Sequence, residues 1–295
     1  MHRRELNMRL AVLADIHGND TAFKECVDYA LSKDITTFMV LGDYGGELPH
    51  FRETMDYLYD LRKRYTCYCI RGNREEYMLN YRKAGETGWK KGNSASGCLL
   101  YGYERLRGQD LDFFEGLPIS QTLSFPDLPP LTICHGSPRR AGEKMEPGKE
   151  TTREVMENES SPYILFGHTH IQGEICHGNK RAWNPGSVGV PLHSGGQAQF
   201  MLLHGTDGSW KREFISLAYD VDEAIRQIGA SGLDVYAPYW CEVSRYMLRG
   251  VEIDHADVLD RAMELCRQRE GQCIWPEIPE DCWAQALEEL LPKDV

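Results

Sequence analysis

"MRLAVLADIHGND", residues 8–20, decides the fold. Its apolar run, interrupted only by Arg9, suits a buried strand, and it stops at Asp15, His17 and Gly18 before a new pattern begins. That pattern, "NDTAFKECVDYALSK", puts Phe23, Val27, Ala30 and Leu31 on one helical face, with Asn19 placed to cap the helix. The sequence repeats the alternation. "TTFMVLGD" reads as a second strand, "HFRETMDYLYDLRK" brings Phe51, Met55, Leu58 and Tyr59 to one side of a helix, and "TCYCIRGN" is a third strand. A β-α-β-α-β order predicts a parallel sheet with right-handed crossovers, in which sites form at the carboxyl ends of the strands.

Beyond this unit, Glu75 to Gly116 reads as mainly helical, followed by the strand-like runs "SQTLSF", "PPLTICHG", "PYILFGH", "KRAWNPG", "QFMLLHG" and "KREFISL". The prediction is an α/β fold of two sheets packed face to face with helices outside, forming a core domain over residues 1–218. Residues 219–295 differ. "HADVLDRAMELCRQREG" carries an apolar stripe of Val258, Leu259, Ala262, Leu265 and Cys266, and "PEDCWAQALEELL" is a last amphipathic helix. This helical C-terminal extension is expected to act as a lid over the strand ends or as a homodimer contact.

Composition narrows the function. The chain of 295 residues is 41% hydrophobic and 26% charged, enough for one large domain with an appendage. A net charge of −12 argues against coating nucleic acid, which needs a surplus of Lys and Arg over phosphates. A small anionic ligand needs a locally positive site instead. No stretch approaches the roughly 20 apolar residues that cross a bilayer, and the start "MHRRELNM" enters the first strand without a cleavage signal, so the expectation is a cytoplasmic protein with no membrane partner. Ten scattered cysteines without paired C-x-x-C spacing read as reduced thiols.

The residues just after the proposed strands form a pattern of their own: Asp15 and His17, Asp43, Asn73, His135, then His168 and His170. Any one of them has an ordinary reading as a turn, cap or satisfied polar residue. Together they fall on the edge where open α/β sheets build sites, beside Gly18, Gly42, Gly72, Gly136 and Gly167. In "ILFGHTHIQG" (164–173) the two histidines are two positions apart, so an extended backbone would turn both toward one object. Imidazole with carboxylate or amide oxygen, and no thiolate, suits first-row divalent ions such as manganese, iron, cobalt or zinc. Seven ligands exceed one tetrahedral ion; two ions about 3.5–4 Å apart, sharing a carboxylate, can clamp a phosphoryl displacement.

In this order and spacing, "DIHGN", "GDYGGE", "GNREE", "CHGSP", "GHTH" and "NPGSVG" resemble the calcineurin-like metallophosphoesterases over about residues 8–215, most of all their compact bacterial and archaeal phosphodiesterase branch. Protein serine/threonine phosphatases are less similar, since their second motif continues to an arginine. The resemblance implies a four-layer α/β/β/α sandwich of two mixed sheets. It further implies that Asp15, His17 and His170 hold one ion, that Asn73, His135 and His168 hold the other, and that Asp43 bridges them. The cofactors expected are two divalent metals, Mn2+ first, with Fe, Zn, Co or Ni as alternatives. A hydroxide shared by the ions would attack phosphorus in line. The function implied is hydrolysis of phosphodiester or phosphoanhydride bonds in a small phosphorylated, nucleotide-like substrate. A protein phosphatase or phosphomonoesterase is the second reading, and a non-catalytic scaffold on the same fold the third.

This sequence departs from the resemblance in places. Where many members carry a histidine that acts near the leaving group, it has Arg74, which stays charged above about pH 12 and can grip phosphate oxygens but not donate a proton. The other reading pairs Arg74 with Glu75 or Glu76 along a helix. His193, in the "VPLHSGG" that follows "NPGSVG", and His50, in "ELPHFRE", are further substrate-binding candidates, against a turn residue and a helix-start residue respectively. Tyr236, Tyr239 and Trp240 could stack on a nucleobase or pack inside the extension.

Overall fold

The computed structural model describes residues 8–292; the charged start read above as lacking a cleavage signal lies largely outside the described residues. The first half runs β1 (Met8–Leu13), α1 (Asp20–Ser32), β2 (Thr37–Val40), α2 (Phe51–Arg64), β3 (Thr66–Cys69), α3 (Asn73–Lys83), α4 (Gly97–Tyr103) and α5 (Gly108–Gly116). Next come β4 (Ser120–Leu123), β5 (Leu131–Cys134), α6 (Glu150–Asn158), β6 (Tyr163–Leu165), β7 (Gly173–His177), β8 (Lys180–Asn184), β9 (Ala198–Thr206) and β10 (Ser209–Leu217). The C-terminal helices are α7 (Val221–Ser231), α8 (Pro238–Leu248), α9 (His255–Glu270) and α10 (Glu280–Leu290).

The strands form two five-stranded mixed sheets, in the orders β10-β9-β1-β2-β3 and β4-β5-β6-β8-β7. β1, β2 and β3 are parallel, as the alternation predicts, while β9 returns antiparallel to β1. The period of two along β1 explains the layering. Leu10, Val12 and Ala14 pack between the sheets with Leu131, Ile133, Leu165 and Trp183, whereas Ala11 and Leu13 face α1 and α2 through Phe23, Val27 and Phe51. On the far side Cys134, Ile164 and Ala182 meet Val155 and Met156 of α6. Each fully buried Leu, Val, Ile or Phe among them contributes about 1.5–3 kcal/mol. The result is a four-layer α/β/β/α sandwich, and Asn19 caps α1 as expected, its Oδ1 accepting from Ala22 N at 3.1 Å.

The expected elements do not include β7 and α6, while α7 and α8 fall in the extension expected to be helical. β7 is the edge strand of its sheet and is half exposed, so its five residues lack the apolar signature of the central strands. α6 presents only three buried residues, Thr152, Val155 and Met156. In α8 Trp240, Cys241, Val243 and Met247 all face inward, in keeping with the packing alternative for the aromatics of this stretch. The helices α7 to α10 share an apolar interior that includes Trp240, Leu265 and Trp283, and it continues into Leu48, Cys98, Tyr101 and Val190 of the preceding part. No helix among the described residues is long and apolar enough to cross a membrane.

Candidate metal centre

Each candidate ligand sits within five residues of a strand's carboxyl end. Asp15 and His17 follow β1, Asp43 follows β2, Asn73 follows β3 and opens α3, His135 follows β5, and His168 and His170 follow β6. All seven are brought together. His17 Nε2 lies 3.0 Å from His170 Nε2, 3.8 Å from Asp15 Oδ1 and 3.7 Å from Asp43 Oδ2. His135 Nε2 lies 2.9 Å from Asn73 Oδ1, 3.4 Å from Asp43 Oδ2 and 3.8 Å from Asp15 Oδ1. The His168 ring packs against that of His135 with centroids 5.2 Å apart, and its backbone N donates to Asp15 Oδ2 at 3.0 Å. Two groups of three result, Asp15–His17–His170 and Asp15–Asp43–His135. Asp15 belongs to both, and Asp43 likewise lies between His17 and His135.

The backbone that delivers these groups is unusual. Asp15, His17, Asp43, His168 and His170 have φ between 53° and 66°, in the left-handed region that costs a non-glycine residue roughly 1 kcal/mol or more. "GHTH" is therefore not the extended segment expected from alternation: Thr169 N donates to Gly167 O at 2.7 Å, closing a tight turn around His168. The two histidines diverge, His170 toward His17 and His168 toward His135. Close approach accounts for two glycines. A Cβ on Gly72 would lie 2.2 Å from Asp43 Oδ1, and one on Gly167 2.7 Å from Asp15 Oδ2.

Partners behind the ligands fix their orientation. His135 Nδ1 donates to Leu41 O at 2.7 Å and His170 Nδ1 to Val190 O at 3.0 Å, so both rings present Nε2 to the centre. His17 Nδ1 is paired with the buried Glu47 carboxylate. Glu75 accepts from the backbone N of Asp43 and Tyr44 at 2.9 Å and of Gly72 at 2.8 Å, holding the β2 and β3 loops together. Burial, with Asp43 nearby, pushes its carboxyl up to about 7 against those donors. Asn184 Nδ2 donates to Gly167 O at 2.8 Å, and Ser187 Oγ to Asp15 O at 2.8 Å, which explains "NPGSVG" as the brace for two ligand loops. Glu47, Glu75, Asn184 and Ser187 were not singled out from the sequence. All four lie in the quoted motifs "GDYGGE", "GNREE" and "NPGSVG", but their roles rest on contacts that only the folded chain makes.

Electrostatics show what the centre wants. Burial opposes charge on His135, yet Asp43 and Asp15 outweigh it and raise its imidazole to about 10. Burial and the neighbouring His135 lower His168 to about 3. Asp43 is held far below the ordinary carboxylate range: burial works against its charge, but His135 and His17 prevail. Two carboxylates without solvent access thus pull positive charge into the space between imidazole nitrogens. Two ring nitrogens 3.0 Å apart also repel through their lone pairs unless a proton or cation lies between them. The donor set fits divalent first-row cations.

The other candidates divide between the cleft and the outer surface. Arg74 lines the cleft floor, but its guanidinium pairs with Glu47, not with Glu75 or Glu76 as the helical reading has it. Glu75 points the other way, onto backbone amides. His50 precedes α2, with Nδ1 2.8 Å from Asp20 Oδ1 and no place in the cleft. His193 is 65% exposed and pairs with Glu252 at 2.6 Å, also outside the cleft. Tyr236 donates to Glu104 at 2.7 Å, while Trp240 reaches the cleft wall. The cleft, ≈ 860 Å³, has the ligand cluster as its floor; Tyr77 and Trp89 line one part, and Trp240, His255 and Trp275 of the C-terminal region line another.

The family model described as the calcineurin-like phosphoesterase superfamily domain matches residues 8–208. No curated protein matches the chain. Among solved structures the fold is similar to a metallophosphoesterase from Sphaerobacter thermophilus, with 20% identity and TM-score 0.65 over 84% of this chain and 100% of that one. It is also similar to a hypothetical protein from Pyrococcus horikoshii OT3, with 21% identity and TM-score 0.69 over 81% of this chain and 97% of that one.

Proposed function

The chain belongs to the calcineurin-like phosphoesterase superfamily, and from that premise we propose that it hydrolyses phosphodiester or phosphoanhydride bonds of small nucleotide-like substrates with two divalent metal ions. The observation that carries this reading is the convergence of two buried carboxylates, four imidazoles and one amide at the strand ends, five of them lining the floor of the cleft. Asp15, His17 and His170 would hold one ion, Asn73, His135 and His168 the other, with Asp43 shared. Such ions, Mn2+ foremost, supply positive charge for phosphoryl oxygens and make water acidic enough to furnish a nucleophile near neutral pH.

The chain's own residues do the rest. The guanidinium of Arg74, at the cleft floor beside Asp43, can donate to phosphate oxygens, and its fixed charge keeps it from protonating a leaving group. That favours leaving groups stable as anions, such as the phosphate chain of an anhydride. Tyr77 and Trp275, each 43% exposed at the cleft, offer faces for a planar base, and the C-terminal helices form that wall as a lid would. Metal analysis with a panel of diesters, monoesters and dinucleoside polyphosphates tests this reading. It requires two ions per chain and turnover of diesters or anhydrides above monoesters. A monoester preference would favour a phosphomonoesterase, and a metal-loaded chain inert on the whole panel a scaffold.

A further inference from the structure

We propose that Glu47 is a positioning residue: its single buried carboxylate orients the His17 ring toward the metal centre and anchors the guanidinium of Arg74. The inference rests on the reading of His17 as a metal ligand.

Three imidazoles of the centre turn Nε2 inward, and each has a partner on Nδ1. For His135 and His170 that partner is a backbone carbonyl, Leu41 O and Val190 O. A carbonyl can only accept, so Nδ1 carries a proton and Nε2 is the nitrogen turned to a cation, whether a metal ion or a second proton. On His17 the same position faces Glu47 Oε2 as an ion pair, a charged partner in place of a carbonyl, while Glu47 Oε1 pairs with Arg74 Nη2. A carboxylate on the far nitrogen makes an imidazole a more basic ligand than a carbonyl does. The Glu47 side chain is only 2% exposed, and without these two partners its charge would be stranded away from water.

The surrounding chain is shaped for the arrangement. Leu48 N donates to His17 O at 2.9 Å, binding the loop that carries Glu47 to the loop that carries His17. At Gly46 a Cβ would come 2.9 Å from His17 Nδ1 and 3.3 Å from Arg74 Nε, so the absence of a side chain leaves room for both. Arg74 is held from its other end as well, its backbone N donating to Asp43 Oδ1 at 2.8 Å. Its guanidinium lies 5.8 Å from the Tyr77 ring and 5.9 Å from that of Trp240. Glu47 therefore ties the metal-binding loop to the cation that faces substrate, and Trp240 of α8 flanks that cation.

The test compares the full-length wild type, Glu47→Gln, Glu47→Asp, Arg74→Met and the Glu47→Gln/Arg74→Met double variant, each stripped of metal. Calorimetric titration with Mn2+ and Co2+ is paired with thermal melting of the metal-free proteins. A glutamine offers one acceptor where two donors converge, so Glu47→Gln should weaken one of the two binding events by about 10–100-fold and leave the other within a few-fold, the scale for loss of an orienting partner. Glu47→Asp keeps the charge and should lose less; it carries the test if the glutamine variant does not fold. Arg74→Met should leave metal affinity unchanged. The double variant should stay weak in metal binding even if its melting temperature recovers. Wild-type metal affinity in the double variant would make Glu47 a mere counter-ion of Arg74 and overturn the proposal. Equal metal binding by wild type, Glu47→Gln and Glu47→Asp would overturn it alone, whereas a wild type that takes up no divalent ion would overturn the metal reading and this inference with it.

Discussion

Asp15, His17, Asp43, His168 and His170 occupy left-handed backbone at the ends of strands, whereas Trp240 and Met247, which face the same cleft, sit in the regular α8. The ligand edge carries roughly 1 kcal/mol or more of backbone strain at each of five positions, tolerated because sheet packing and the partners Leu41 O, Val190 O, Glu47 and Asn184 hold it. The helical wall has no such strain and buries its side chains in an ordinary apolar interior. Strained, enclosed groups hold one geometry, and helix-borne aromatics can be exchanged with less consequence. The chemistry of the reaction should thus reside on the edge, and the choice of substrate on the wall.

The largest expected effect tests the edge. Asp43→Asn should lose both ions and lower turnover by about a thousandfold or more while the fold survives, because the carboxylate lies between the two ligand groups. Elemental analysis finding two tightly held metals in that variant would break the shared assignment.

Arg74 stands between edge and wall. Arg74→Ala should keep both ions and reduce kcat/KM for diesters by about 10–1000-fold, the scale of one transition-state donor. Arg74→His should improve substrates with basic leaving groups relative to nitrophenyl or anhydride substrates, since imidazole can donate a proton near neutral pH. Equal rates across a leaving-group series in all three proteins would assign Arg74 a purely structural role beside Glu47.

On the wall, Trp275→Ala should raise KM for nucleotide-like substrates about fivefold or more, the loss of about 1 kcal/mol of base stacking, with kcat and metal content unchanged. Altered metal content would show that wall and edge are not separable.

The smallest effect belongs to a pair behind the edge. Burial works against the Asp20 carboxylate, but His50 and Lys24 lower it below 3.8, and Asp20 raises His50 above 6.5. The carboxylate's share of stability is complete above 3.8 and lost as pH falls through its lowered value; the imidazole's is complete below 6.5 and lost as pH rises through its raised value. The pair is therefore at full strength between those limits. Asp20→Asn should cost up to about 1 kcal/mol there, read as a melting difference that shrinks on both sides, with turnover unaffected.

Ligand types at strand ends were legible because both signals are local: an apolar run says where a strand stops, and the residue types that follow say what they can bind. Asp15, His17, Asp43, Asn73, His135, His168 and His170 all come from that rule, and β1 to β3 with α1 and α2 from hydrophobic period. What set their orientation was not local. His135 takes its tautomer from Leu41, 94 residues earlier, and His17 pairs with a glutamate that "GDYGGELPH" presents as one more loop residue. The left-handed backbone of "GHTH", the place of His50 and His193 outside the cleft, and the arrival of Trp240 and Trp275 at its wall depend on which surfaces pack together. A hydrogen bond or a shared cleft is a relation between distant segments, and only the folded chain brings those segments into contact.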